Sequence, residues 1–312
     1  MTPPGGGQQP CLICAGVSSP AGTRNGHTYL RCRACGLYFV HPRPAWKSLL
    51  GWYGPEYYTG GIRDDRGQIV GYENYSQQGP QDAERVFAWL ARACPELRGK
   101  RVLDVGCARG YLAQLLIRAG AEVEGVEMAP DALSHLSGVG IRIHSCLQDA
   151  AVQAGNFDLV VMSEYLEHTL DPMEELRLVH TCLRQKGCLA ITVPNGSQLC
   201  VHTYGVEYHS FTAPVHLQVF TLESLRRAIR GLFVARRWQA YSLNLQNPLP
   251  RLFLRCLGIT TDRIHFDGTA EVYACPGSAA KLALRIARAY RYRFRHSDLL
   301  LNMGLRAILE RS

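Results

Sequence analysis

Four cysteines stand in two matching hooks, Cys11-x2-Cys14 and Cys32-x2-Cys35. The gap between the hooks falls in the range of about 15–20 residues that zinc sites use. Each hook puts two thiolates on one tight turn, and two hooks close a tetrahedron, so the spacing predicts a structural zinc site. Four thiolates leave no position for water, which gives that zinc no catalytic role. Disulfides or free thiols are the alternatives. A second group is Ser163-Glu164-Tyr165-Leu166-Glu167-His168, where Glu164, Glu167 and His168 fall at i, i+3 and i+4. A helical turn there would put them on one face. His209 and His216 follow downstream. Two carboxylates and two imidazoles suit Mg²⁺, Mn²⁺ or another divalent ion.

A third group is Val102-Leu103-Asp104-Val105-Gly106-Cys107-Ala108-Arg109-Gly110. It reads as a strand, a glycine-bearing loop and a helix start. A dinucleotide loop needs GxGxxG; this one is Asp-x-Gly-x-Ala-x-Gly. Glu127 ends the next strand after Asp104, where an acid accepts hydrogen bonds from a ribose hydroxyl pair. Asp104 is acidic where a phosphate would be repelled. The expected ligand therefore carries a ribose and a positive group, not a pyrophosphate. Ala108, in place of a middle glycine, is tolerable if the backbone there needs no positive φ.

These residues need a frame, and from Lys100 the pattern supplies one by alternating strand and helix. Strands are expected at 101–106, 121–127, 141–144, 157–163 and 188–193, and helices at 111–119, 130–136, 172–183 and 221–231. Alternation of this kind predicts a doubly wound, mostly parallel sheet, with ligands at the carboxyl ends of its strands. Segments 233–241 and 270–275 are expected to form a closing antiparallel pair. Upstream, 82–94 reads as a helix after a tyrosine-rich stretch, and strands flank the second cysteine hook at 28–31 and 37–40.

On these residues the chain resembles the class I S-adenosylmethionine-dependent methyltransferases. Phe157-Asp158-Leu159-Val160-Val161, Leu183-Arg184-Gln185-Lys186-Gly187 and Ile191-Thr192-Val193-Pro194-Asn195 match in order. The resemblance implies an α/β, Rossmann-like methyltransferase sheet, with a small N-terminal zinc ribbon and a C-terminal helical extension. It implies a ribbon over 1–40, an aromatic-rich linker and cap helix over 41–98, a methyltransferase domain over 99–277 with an insertion at 242–269, and basic helices over 278–312. S-adenosylmethionine is then the cofactor. Asp104 and Gly106 would line its methionine end, Glu127 its ribose, and Met128 and Leu147 its adenine, with Ala108, Gly110 and Ser163 also among the cofactor-binding residues. The family often carries an Asp near the adenine amine; Ser145-Cys146-Leu147-Gln148 has none, leaving main-chain groups to serve.

The Glu-x-x-Glu-His stretch with a distal histidine is similar to that of metal-dependent O-methyltransferases, which implies Glu164, Glu167, His168 and His216 as ligands. Leu-Glu-His also occurs in the superfamily without metal. A metal-free base (His168 or His216, with His209 in reserve) and a purely structural role stay open, and Tyr165, Tyr204 and Tyr208 are candidate substrate contacts.

The 312 residues are 47% hydrophobic and 19% charged, a globular balance that excludes wholesale disorder. No apolar run approaches a membrane span, and Met1–Pro10 has no apolar core of a signal peptide, so a cytoplasmic location is expected. Residues 1–45 hold four arginines and no acid, and 281–312 eight basic residues against two acidic ones. Such ends suit an anionic partner. The loop Ala15–Asn25 nevertheless offers only Arg24, and no aromatic platform for bases is evident, which argues against nucleic acid. The expected partner is a small-molecule acceptor, most simply a sugar, phenol or natural-product hydroxyl. An RNA methyltransferase and a metal-free N- or C-methyltransferase are the alternatives. The arginine-rich stretch 285–295 would suit peripheral contact with an anionic membrane, or a packing or dimer helix. Oligomeric state is not legible.

Overall fold

The computed structural model describes residues 9–151, 155–241, 259–264, 270–274 and 304–312. Most of the expected insertion, and the basic stretch 275–303, lie outside the described residues. In chain order the strands are β1 (Ser18–Arg24), β2 (His27–Cys32), β3 (Tyr38–Val40), β4 (Arg101–Val105), β5 (Glu122–Val126), β6 (Arg142–His144), β7 (Phe157–Ser163), β8 (Leu183–Pro194), β9 (Gln218–Val219), β10 (Phe233–Tyr241), β11 (Ile259–Ile264), β12 (Ala270–Ala274) and β13 (Gly304–Arg311). The helices are α1 (Trp46–Leu50), α2 (Tyr75–Ala93), α3 (Tyr111–Arg118), α4 (Pro130–Leu136), α5 (Leu147–Ala151), α6 (Pro172–Cys182), α7 (Leu199–Tyr204) and α8 (Leu222–Ile229). None of them is long and apolar enough to cross a membrane.

The chain divides into two compact units, one of Met1–Arg43, Pro194–Ala228 and Ala240–Gly304, the other of Pro44–Val193, Ile229–Gln239 and Leu305–Ser312. In the first, β1, β2, β3 and β9 make an antiparallel four-stranded sheet. Arg24 pairs with His27 across a two-residue loop, Asn25-Gly26, with φ of 48° and 74°. Positive φ at both positions suits the right-handed twist of a tight hairpin, and Asn-Gly tolerates it best. Helix α8 opens on a reciprocal cap: Ser224 N donates to Thr221 Oγ1 and Thr221 N to Ser224 Oγ. A cap of this kind stabilises by about 1 kcal/mol.

The second unit is built on a seven-stranded sheet ordered β10-β13-β8-β7-β4-β5-β6. Pairs β4/β5, β4/β7, β5/β6 and β7/β8 are parallel. Such strands are covered on both faces, which is why β4 and β7 read as nearly unbroken apolar runs. Val102, Leu116, Val161 and Trp89 meet in the core. The chain runs outward from β4 through β5 to β6, then returns to β7 and β8 on the other side. The order therefore reverses between β4 and β7, and a ligand crevice belongs at the carboxyl ends of these two strands. The α/β Rossmann-like fold class is as expected.

Several expectations need correction. Segment 270–275 does not pair with β10. Its strand β12 pairs antiparallel with β11, inside the expected insertion, and the neighbour of β10 is β13. Residues 304–311 are thus a strand, not the end of a basic helical extension. Leu305, Ala307, Ile308 and Leu309 are buried. Two of the basic residues counted in this stretch have partners on the sheet: Arg306 lies over the Trp89 ring at 5.0 Å and donates to Gln239, and Arg311 donates to the Leu183 carbonyl. Helix α2 begins at Tyr75, upstream of the expected Asp82, and carries Pro80 inside. It packs on Tyr111 at Gly79, where a Cβ would stand 2.8 Å from the ring. Strand β1 was not foreseen.

Candidate active site

The cysteine hooks converge. Their four sulfurs lie within 4.8 Å of one another, with Cys11 Sγ 3.5 Å from Cys35 Sγ and Cys14 Sγ 3.6 Å from Cys32 Sγ. Four sulfurs bound at about 2.3 Å to one tetrahedral ion stand about 3.8 Å apart, so the set fits zinc without rearrangement. Ile13 N and Cys35 N donate to the sulfurs of Cys11 and Cys32. Gly16 backs onto the cluster, where a Cβ would stand 3.3 Å from both Cys14 and Cys32 Sγ. The hydrogen bond from Cys35 holds the Cys11 thiol well below the usual thiol range, while the same contact and burial push Cys35 up. Four sulfurs gathered this closely form a site that fits one tetrahedral cation.

At the carboxyl end of β4 the chain turns through Gly106 (φ 73°), Ala108 (φ 46°) and Gly110 (φ 78°). Gly106 is obligatory for space as well as for φ, because a Cβ there would meet Tyr165 Cδ2 at 2.6 Å. Ala108 corrects an expectation: its backbone does take positive φ, a conformation that costs an L-residue about 1 kcal/mol. It is held there by its own amide, which donates to Glu127 Oε2 at 2.9 Å. Glu127 Oε1 accepts from Met128 N at 2.7 Å and Ala129 N at 2.8 Å. The carboxylate thus ties the loop after β4 to the loop after β5. Burial raises its pKa, with the three amides opposing.

Asp104 is 3% exposed and its Oδ2 has no hydrogen-bond partner among the described residues. Burial, with the Glu127 charge adding, pushes it up to about 7. A buried carboxylate with an unused oxygen at a strand end suits an ammonium. Met128 is half-buried and Leu147, at the start of α5, is buried. Ser163 Oγ is 3.2 Å from Thr192 Oγ1. Two residues that sequence reasoning missed belong here. Arg109 is buried, paired with Asp131 at 2.7 Å, and lies over the rings of Tyr58 (4.9 Å) and Tyr75 (5.8 Å). Asp149, on α5 one residue past Ser145-Cys146-Leu147-Gln148, accepts from Ser145 Oγ; extending that stretch by one residue would have found an acid.

At the end of β7, Glu164 takes φ of 49°, and only Leu166–His168 form a 3-10 turn. The helical face expected for Glu164, Glu167 and His168 is therefore absent, yet the turn still gathers them. Glu167 is fully buried, and neither of its oxygens has a hydrogen-bond partner among the described residues. Burial and the neighbouring Glu164 charge push it far above the usual carboxylate range. His168 Nε2 is 3.7 Å from Glu167 Oε1, and its Nδ1 is 3.1 Å from the Tyr53 hydroxyl. Glu164 Oε1 accepts from Thr192 Oγ1 at 2.9 Å. Asp82 on α2, also missed, is pushed up to about 7 by burial, against the pull of Arg85 and with the Glu164 charge adding. Asp82 and Glu167 thus both feel the Glu164 charge in addition to their burial. Tyr53 begins a run of edge contacts, through Tyr57 (5.1 Å) and Tyr58 (5.2 Å) to Tyr75 (5.2 Å), so the tyrosine-rich stretch links the His168 turn to Arg109. Tyr165 packs on Gly106 and donates to Glu175.

His216 and His209 belong to the first unit. His216 Nδ1 is 2.8 Å from the Ser210 carbonyl. A carbonyl only accepts, so Nδ1 carries the proton and Nε2 the lone pair. Burial lowers its pKa and keeps it neutral. Tyr208 is buried with its ring 4.2 Å from that of His209; Tyr204 ends α7.

Residues 79–232 match the methyltransferase domain family. They are an S-adenosylmethionine-dependent methyltransferase domain. The domain takes in α2, upstream of the boundary expected at 99. A ubiquinone biosynthesis O-methyltransferase of Xanthomonas euvesicatoria is 37% identical over 123 residues, 36% of this chain and 52% of that protein. One of Ralstonia nicotianae is 33% identical over 130 residues, 38% of this chain and 54% of that protein. The chain thus spans about half the length of these curated relatives. A SAM dependent methyltransferase from Archaeoglobus fulgidus superposes with a TM-score of 0.50 at 19% identity, covering 76% of this chain and 100% of that one. Its fold is the methyltransferase domain's fold. The unused Asp104 oxygen and the Glu127 carboxylate at the β4/β5 ends fit the ammonium and ribose of the domain's cofactor.

Proposed function

We propose that the whole chain methylates a hydroxyl of a small-molecule acceptor, with zinc held by Cys11, Cys14, Cys32 and Cys35, and a divalent ion held by Glu164, Glu167, His168 and His216. The observation that carries the reading is Glu167, a carboxylate buried beside Glu164 and His168 with no hydrogen bond to either oxygen among the described residues. Such a group calls for a cation. His216 joins the set on the sequence pattern, supported by the carbonyl that fixes its Nδ1 proton and so its tautomer. The O-methyltransferase relatives support oxygen as the acceptor atom.

When bound, S-adenosylmethionine supplies a methyl carbon activated on a sulfonium, and a divalent ion would supply a positive charge that acidifies the acceptor hydroxyl. The chain's own residues do the rest. Asp104 takes the cofactor's ammonium, Glu127 its ribose hydroxyls, and Met128 and Leu147 flank its adenine. Tyr53 fixes the His168 ring. Holding the two reactants in line then lowers the entropic part of the barrier. A second reading rests on that Tyr53–His168 hydrogen bond, which is the arrangement of an oriented general base. In it, His168 Nε2 receives the acceptor's proton without metal.

Calorimetric titration of Mn²⁺ into the cofactor-bound protein separates the two. The divalent reading expects one Mn²⁺ site beyond the cysteine cluster, lost in Glu167→Gln. Cofactor binding with no Mn²⁺ uptake refutes it and leaves the histidine-base reading. An acceptor screen over catechols, phenols and sugar diols then tests the substrate class.

A further inference from the structure

The first unit joins the cysteine ribbon to a segment far along the chain, 206–221, which carries His209 and His216. Nothing in the methyltransferase reading requires this connection. The anchors on that segment come from the ribbon. The Tyr29 hydroxyl, on a fully buried side chain, donates to the His216 carbonyl at 2.5 Å. Arg43 donates to Leu217 O at 3.1 Å and to Gln218 Oε1 at 2.9 Å. Asn25 Nδ2, from the hairpin tip, donates to Ala213 O at 3.0 Å. Phe211 stands edge-on to Tyr29 and Tyr38, with centroids 5.0 and 5.1 Å away. At the far end, Thr221 Oγ1 donates to the carbonyl of Cys35 at 2.6 Å, so one of the four cysteines is itself part of the anchorage.

We infer that the cysteine ribbon is the platform that positions His216, and that Tyr29 is the positioning residue. The ribbon has too few residues to fold on apolar burial alone, so the ion at its cysteines fixes β2 and β3. Strand β2 then presents Tyr29, and Tyr29 fixes the His216 backbone. That backbone keeps Nδ1 on the Ser210 carbonyl. The inference rests on the proposed role of His216 for its catalytic consequence, but not for the coupling itself.

The test is Tyr29→Phe in the full chain, which removes one hydroxyl and leaves the ring contacts to Phe211. Zinc content is expected to stay at the wild-type level. Amide exchange over 206–221 should accelerate about tenfold, the worth of one buried hydrogen bond, while β4 and β7 amides are unchanged. Nitrogen-15 shifts of the His216 ring should change from a single Nδ1–H tautomer to a mixture, which a merely structural change elsewhere would not produce. A single Nδ1–H tautomer with unchanged exchange in Tyr29→Phe overturns the inference. Stripping zinc with a chelator gives the second arm: loss of protection over 206–221 supports the platform, and intact protection with zinc verified as lost overturns it. If His216→Ala leaves Mn²⁺ uptake and methyl transfer untouched while Tyr29→Phe still mixes the tautomers, the platform stands and the proposed role of His216 falls.

Discussion

Ionising buried Asp104 makes the apo domain less stable, and under its proposed role as the ammonium's partner, replacing it separates stability from cofactor binding. In the folded apo domain its carboxyl sits at about 7 rather than 3.8, through burial and then the Glu127 charge. Between those values the folded state holds a proton that the unfolded chain has lost, so stability falls as pH rises through this window and the loss is complete above about pH 7. At about 1.36 kcal/mol per pH unit, ionising this one group costs the apo fold about 4 kcal/mol at pH 8. Asp104→Asn removes that cost. An amide left without an acceptor gives back about 2 kcal/mol, so the net gain is about 2 kcal/mol. For a domain of this size that raises Tm by about 4–8 °C at pH 8, while at pH 4, where the carboxyl is already protonated and there is no ionisation cost to remove, the unpaired amide lowers Tm by a similar amount. Cofactor binding responds in the opposite direction. Losing a charge-assisted hydrogen bond costs about 2–3 kcal/mol, or about 30- to 150-fold in Kd at pH 8. The wild-type Kd should also weaken about tenfold from pH 8 to pH 6 as Asp104 protonates, and the variant should lose that dependence. Thermal melts and calorimetry at the two pH values measure both. A variant that melts no higher than wild type at pH 8, or that keeps the tenfold pH dependence, refutes the reasoning.

Elemental analysis of protein purified without added metal should find one zinc per chain, and Cys32→Ser should abolish it and unfold the ribbon; the same zinc content in Cys32→Ser would rule out the tetrahedral site. Ala108→Gly should stabilise the apo domain by about 1 kcal/mol in a denaturant melt, because the positive φ then costs nothing; a destabilised variant would mean that the methyl group gains more by packing than it loses in strain.

The parallel core was legible because β4 and β7 announce themselves as apolar runs ended by Gly106 and Ser163, and because loops after parallel strands are where ligands bind. The cysteine hooks were legible because their spacing carries its own geometry. The misreadings share a cause, which is that local pattern was overridden by distant packing. Residues 304–312 were expected within basic helices, but Arg306 stands on a strand of the sheet and lies over the ring of Trp89, some two hundred residues earlier in the chain. The helix expected from Asp82 begins instead at Tyr75 and runs through Pro80, with Gly79 packed against Tyr111. The i, i+3, i+4 spacing at Glu164 promised a helix, and the left-handed Glu164 backbone brings the same side chains together by another route. Asp82 and Arg109 carry no motif, so only the fold reveals them.

Because β3 pairs with β9, the ribbon's sheet is incomplete for much of the chain's synthesis. Phe39 meets Gln218, and a ribosome adding about 5–20 residues per second needs about 10–40 s to make the stretch between them. For that time the emerging ribbon has an open edge at Tyr38-Phe39-Val40, three side chains that are buried in the finished protein. An open apolar edge strand invites pairing with other chains. The nascent chain is most exposed to misassembly in this interval, and expression at lower temperature, which lengthens it, would also weaken the apolar contacts that misassembly needs.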